Sequence, residues 1–205
     1  MAKVLDKGGI ILALLFGIIL FIFGGPTYLA LMLVFFAFAV GVTRYEHEIK
    51  RSLGLYEHER GWENVLSNGI LPAILAIFSP SIGPIRFIAS IAAVTSDKFG
   101  SEIGVLDVNE PISLFSFKKV KPGTSGAMSF LGTAASLAGS ASIAIACLFL
   151  FNISPNQALI IASAGFIGSI TDSILGYFEE RGIGTKGTTN FFCSLVGSII
   201  GFILR

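Results

Sequence analysis

Asp97, Lys98 and Glu102 sit in the stretch TSDKFGSEIG (95–104), at the end of a long apolar segment. A charge in such a segment costs roughly 2.5–3.5 kcal/mol on insertion scales, so it ordinarily faces a protein interior or a water-filled cavity and marks function. Lys98 and Glu102 are four apart on a helix and are able to neutralise one another, which leaves Asp97 to be explained. Ser90, Ala93, Asp97, Ser101 and Gly104 recur at three- and four-residue steps. That stripe of small residues lets a second helix approach closely, so Asp97 is expected to point inward. At roughly 100° per residue, Glu102 lies about 140° round from Asp97. One ligand shared by both requires a bend or unwinding, for which Gly100 is the candidate.

A second feature is KKVKPGTSG (118–126), where Lys118, Lys119 and Lys121 lead into a turn at Gly123 and then Thr124, Ser125 and Gly126 at an expected helix start. Free backbone N–H groups and the helix dipole make such a start an anion site. It is not a Walker A loop, because no GK[ST] follows the glycines. The lysines would equally suit a patch on anionic lipid head groups beside an ordinary helix cap. The third feature is GSITDSILG (168–176), with Gly165, Gly168, Asp172 and Gly176 along one side of a helix. A second buried carboxylate points to a divalent-metal site built from Asp97, Glu102 and Asp172, because Mg²⁺ takes one or two carboxylates plus substrate phosphates. The alternative is a lone Asp hydrogen-bonding within the bundle. Arg60, Asn68 and Asn190 are weaker nucleotide- or phosphate-binding candidates, and each Asn would also serve as a cap or an interhelical hydrogen bond. Gly197 and Gly201 form a G-x-x-x-G, which reads as helix packing.

The elements that must position these groups are membrane helices. Of 205 residues 53% are hydrophobic and only 13% charged, against roughly 25% charged in a soluble domain. Mean hydropathy is +0.81, and the 24 glycines suit helices packed closely in lipid. A net charge of +1 gives no sign of nucleic-acid binding. Cys147 and Cys193 lie in apolar runs and read as buried free thiols. Neither they nor the two histidines show a zinc spacing.

An all-α, polytopic integral membrane bundle of about seven transmembrane helices is expected. They form a single domain over residues 1–205, with helices at 10–23, 27–42, 64–78, 85–106, 124–151, 157–178 and 188–204. The first run follows Lys3 and Lys7 like a signal peptide, but it lacks a small-residue cleavage site and a second apolar run follows at once. A retained hairpin is expected. Polar loops fall at 43–63, 107–121 and 179–187, and in the first of these Ile49, Leu53 and Tyr56 share the face of an interfacial helix. Seven passes from a cytoplasmic N-terminus put all three loops on the cytoplasmic side. Of the 14 Lys and Arg, only Arg86 and Arg205 then lie at outer ends, as the positive-inside rule requires. Asp97 and Asp172 fall on helices running in the same direction, at similar depth.

Taken in order, RGWENVLSNG (60–69), VTSDKFGSEIG (94–104), KKVKPGTSGAMSFLGTAAS (118–136) and GFIGSITDSILG (165–176) resemble an integral membrane family once called domain of unknown function 92. That family includes the transmembrane protein 19 group and the plant phytyl-phosphate kinase of vitamin E synthesis. The likeness covers nearly the whole chain. It implies phosphoryl transfer from a nucleoside triphosphate, usually described as CTP, to a prenyl monophosphate lipid of the phytyl or geranylgeranyl type, with Mg²⁺ as cofactor. Asp97, Glu102 and Asp172 would hold the metal, Lys98 and the basic segment the phosphates, and the apolar bundle the prenyl tail. Family members commonly have Asp-Thr where this chain has Asp97-Lys98, and the lysine would either bind phosphate or mark a changed activity. Phosphoryl transfer is mostly positioning plus charge stabilisation. Its acceptor phosphate is already ionised at neutral pH, so no strong general base is needed.

Two other classes share part of this pattern. A lipid cytidylyltransferase would use the same metal and CTP but attack the α-phosphorus and release diphosphate. An ion or small-solute transporter would use intramembrane acids and broken helices, but the turns on the far side carry no charge. Membrane lipid is an implied partner, nucleic acid is not, and a homodimer is left open. With no plastid-type transit segment, the expected location is a prokaryotic cell membrane.

Overall fold

The computed structural model describes residues 5–55 and 61–204. Lys3, Tyr56, Arg60 and Arg205, all named above, lie outside the described residues. The chain opens with α1 (Lys7–Ile19), which widens into one π-helical turn at Leu20–Gly24 and returns as α2 (Pro26–Arg44). Gly25, at φ +82°, makes the reversal that the Gly-Gly-Pro sequence predicts. The short α3 (His47–Ser52) precedes α4 (Trp62–Ile82), α5 (Ile85–Gly104), α6 (Phe130–Leu150), α7 (Pro155–Glu179) and α8 (Lys186–Ile203). Capping boxes start the last two, Ser154 with Gln157 and Thr185 with Thr188.

This is the polytopic all-α architecture expected from the apolar runs. Five helical stretches, 7–24, 26–44, 62–82, 130–150 and 155–179, are long and apolar enough to cross a membrane. Helix α5 is more polar, and protein rather than lipid surrounds its middle. Every residue of α5 from Phe87 to Ser96 is buried. A Cβ added at Gly168 of α7 would lie 2.7 Å from Ala93 Cβ, and one at Gly197 of α8 only 2.6 Å from the same atom. The G-x-x-x-G of α8 is thus a packing face against α5. Ser96 donates to Ser136 O at 2.8 Å and meets Ser169 Oγ at 3.0 Å, tying α5 to α6 and α7. Cys147 and Cys193 are buried free thiols.

Three local expectations are corrected. α5 stays helical through Gly100, with no unwinding. That glycine instead admits α6, since a Cβ there would lie 2.2 Å from Ser136 Oγ. α4 runs on through Pro80 to Ile82, past the expected end at Phe78. α6 begins at Phe130, not Thr124, with Ser129 as N-cap, its hydroxyl accepting from Gly132 N–H at 3.0 Å. The six residues before it make a glycine turn and a two-residue strand, β2 (Ala127–Met128), antiparallel to β1 (Ile112–Ser113). Gly123 at φ +85° and Gly126 at φ +77° hold left-handed conformations that residues inside a right-handed helix do not adopt.

Candidate functional site

A cavity of about 580 Å³ opens among α4, α5, α7, α8 and the glycine turn. Of the residues picked out from sequence, Asn68, Asp97, Lys98, Glu102, Gly123, Thr124, Ser125, Gly126, Asp172 and Asn190 line it. The fold therefore brings together segments far apart in the chain.

Helices α5 and α7 pack through Ala and Gly, and this close approach sets Asp97 and Asp172 within hydrogen-bond reach of each other. Asp172 is only 3% exposed. Lys186, the first residue of α8, donates to its Oδ2 at 2.9 Å, while its Oδ1 is buried without a partner among the described residues. Among the described residues, Asp97 accepts only a long bond from Ser101, at 3.4 Å. Two ionised carboxylates so placed repel unless a proton or a cation lies between them.

Glu102 has a different environment. Lys98 meets its Oε1 at 2.6 Å and Lys50 its Oε2 at 3.0 Å, and the Thr43 hydroxyl donates to Oε1 at 2.8 Å. Lys50 is fully buried and also donates to the carbonyls of Val42 (2.6 Å) and Thr43 (3.4 Å) at the end of α2. Among the described residues, no group of three His, Cys, Asp or Glu side chains is placed to hold a metal ion. The expected trio of Asp97, Glu102 and Asp172 is accordingly a pair plus a separate ion cluster. The 140° offset of Glu102 is retained because α5 does not bend.

The glycine turn lies directly on α7. A Cβ on Gly126 would stand 2.5 Å from Ser173 O and 2.7 Å from Tyr177 N, so only glycine lets the turn sit there. Ser125 donates its backbone N–H to Glu180 Oε1 at 2.7 Å and its hydroxyl to Glu179 Oε2 at 3.0 Å. Lys118, Lys119 and Lys121 are exposed and line no part of the cavity. Lys119 instead pairs with Glu110 at 3.3 Å, both largely in solvent. At the entry to α6, the backbone N–H groups of Asn109 and Leu131 donate to Asp107 and hold its carboxyl below the usual carboxylate range.

Asn68 donates to the Asn64 carbonyl at 2.8 Å, within its own helix. Asn190 is 4% exposed, and its Oδ1 is buried with no partner among the described residues. Sequence reasoning missed Lys50 and Lys186. Lys50 stood in a stretch dense with charge, where burial leaves no mark. Lys186 carried a usable signal, since it precedes Asn190 by one helical turn on a helix start marked by Thr185 and Thr188.

Residues 1–201 match the family described as integral membrane protein DUF92. An uncharacterized membrane protein of Methanocaldococcus jannaschii is 38% identical over 99% of this chain and 87% of its own length. Protein PGR of Arabidopsis thaliana is 30% identical over 86% of this chain and 70% of its own. The Arabidopsis protein VTE6, chloroplastic, is 27% identical over 98% of this chain, which spans 65% of that relative. No solved structure matches.

Proposed function

The chain belongs to the integral membrane family DUF92, and from that premise and the cavity's geometry we propose that it is a membrane-embedded prenyl-phosphate kinase. A non-bridging oxygen of the lipid monophosphate attacks the γ-phosphorus of CTP or another nucleoside triphosphate. The bond from that phosphorus to the β,γ-bridging oxygen breaks, giving the prenyl diphosphate and the nucleoside diphosphate.

The observation that carries this reading is the under-partnered acid pair. Asp172 keeps one buried oxygen with no donor, beside Asp97, in a cavity that also holds Lys98 and Lys186. Oxygen donors of this kind fit a hard cation, and Asp97 and Asp172 are the residues that would hold Mg²⁺. When bound, the metal supplies charge neutralisation for the phosphates. Lys186, half exposed while anchored on Asp172, is placed to meet phosphate oxygens as a point charge. Ser125 of the glycine turn offers its hydroxyl and backbone N–H once Glu179 and Glu180 release them, and Thr124 beside it offers a hydroxyl. Phe35, Val94 and Leu55 give the cavity apolar wall for the prenyl chain. Pro111 of the loop 107–121 and Glu179 and Glu180 of the loop 179–187 line the cavity, so a cytoplasmic location for these loops gives nucleotide direct access, in a cell membrane with the N-terminus on the same side.

The test is purified protein with γ-labelled and α-labelled CTP, ATP, and a panel of prenyl monophosphates. Prenyl diphosphate carrying the γ-label, with CDP or ADP released, supports a kinase. A CDP-linked lipid with diphosphate release identifies a cytidylyltransferase and overturns it.

A further inference from the structure

Asn190 carries a buried amide oxygen that the described residues leave without a donor. Among the described residues its Oδ1 has no hydrogen-bond partner, and neither has the buried Oδ1 of Asp172. Both residues line the same cavity, and both are more than nine-tenths buried. A buried acceptor without a donor is rare in folded proteins and calls for an unseen donor or ion. Phosphate oxygens are acceptors too, so an amide oxygen does not bind them.

The face of α8 that bears Asn190 is the one turned to the acid pair. Lys186, one turn before it, is bonded to Asp172. Thr189, whose hydroxyl donates to Lys186 O at 3.1 Å, stands beside Asp172. Cys193, one turn on, lies close enough to feel the charge of both Asp97 and Asp172. Asn190 falls between them.

We propose that Asn190 Oδ1 is a third protein oxygen for a divalent cation held by Asp97 and Asp172. This rests on the kinase reading of the acid pair and adds a ligand to it. A neutral ligand has a use there. Two carboxylates with Lys186 leave one net negative charge, so a divalent cation leaves the site net positive and receptive to nucleotide phosphate. A third carboxylate would remove that excess.

The probe is Mn²⁺ alone, its binding to purified full-length protein in detergent followed by electron paramagnetic resonance, with melting temperature recorded with and without the ion. Asn190→Leu is expected to weaken Mn²⁺ binding about ten-fold or more, the scale of losing a ligand or its support. Asn190→Asp keeps an oxygen in place and is expected to bind Mn²⁺ at least as tightly as wild type, with the ion raising its melting temperature more than it raises the wild type's. Wild-type affinity in Asn190→Leu would overturn the proposal, leaving a buried water as the partner of the amide. Should Asn190→Leu fail to fold, Asn190→Asp decides alone, since lost affinity there contradicts a ligand role. Equal Mn²⁺ affinity in wild type and Asp172→Asn would instead bring down the acid-pair reading itself.

Discussion

Asp97 and Glu102 stand five residues apart on one helix and live in opposite electrostatic situations. Glu102 is closed upon itself: two lysines and a hydroxyl occupy its oxygens, and one of those lysines is fully buried while it caps the end of α2. Asp97 faces a second carboxylate, with a buried oxygen of that partner left unmatched. A satisfied ion cluster holds elements together and has no spare valence for a ligand. An unsatisfied one keeps charge in reserve and needs something from outside the chain. The difference separates a clamp, which ties α2 and α3 to α5, from a site, although the two share a helix and a cavity.

The largest effect that would sharpen this contrast is at the open pair. Asp97→Asn and Asp172→Asn are each expected to lower phosphoryl transfer on the order of 10²–10³-fold, the size of losing one electrostatic stabiliser in a dry site. Both proteins should stay folded: Asp97→Asn with a melting temperature at or above wild type, because a repelling charge is removed, and Asp172→Asn somewhat below it, because the bridge to Lys186 is lost. Initial rates and thermal melts on the same preparations check this.

The clamp should respond the other way. Lys50→Met is expected to cost about 2–3 kcal/mol of stability, somewhat under the 3–5 kcal/mol of a severed buried pair, because Lys98 still meets Glu102. Turnover per folded molecule should change less than about three-fold. Denaturation alongside active-site-normalised rates separates the two quantities, and a large loss of turnover without loss of stability would break the comparison.

The glycine turn comes next. Gly126→Ala meets both a left-handed backbone and the α7 main chain at 2.5 Å, so about 1–2 kcal/mol of strain together with the clash should lift the turn from α7. A raised KM for nucleotide is the expected signature. Lys118→Ala, Lys119→Ala and Lys121→Ala lie outside the cavity. Each should change stability by less than about 0.5 kcal/mol, as surface substitutions do, and KM by less than about three-fold.

The smallest effect is in acid. Asp107 has its folded pKa depressed by the N–H groups of Asn109 and Leu131. What it adds to stability is full above the unfolded carboxylate's pKa of about 3.9 and is lost as pH falls through the lower folded value. Asp107→Asn should therefore flatten the acid limb of a melting-temperature profile below about pH 4.

Helix positions were readable because an apolar run bounded by charge or by Gly-Pro has few other meanings in a chain this hydrophobic. The meeting of Asp97 and Asp172 was readable too, since small residues on both helices and matched depth are both sequence properties. The start of α6 was not. Thr124 begins an uncharged run, and only the positive φ at Gly123 and Gly126 with the β1–β2 pairing reveals a turn. A two-residue strand has no period to detect. Lys50 was hidden because its burial depends on α2, α3 and α5 converging, a tertiary fact. Lys98 and Glu102 were readable as an i,i+4 pair, but their third member lies some fifty residues away in sequence.

The most direct test is a Mg²⁺ titration of phosphoryl transfer from γ-labelled CTP to a prenyl monophosphate, run side by side on wild type, Asp97→Asn, Asp172→Asn and Glu102→Gln. The open pair as metal holder predicts that the two Asp variants lose turnover and Mg²⁺ response together, while Glu102→Gln loses stability but keeps the Mg²⁺ dependence of its folded fraction. Asp variants that retain near-wild-type turnover with an unchanged Mg²⁺ midpoint would contradict it.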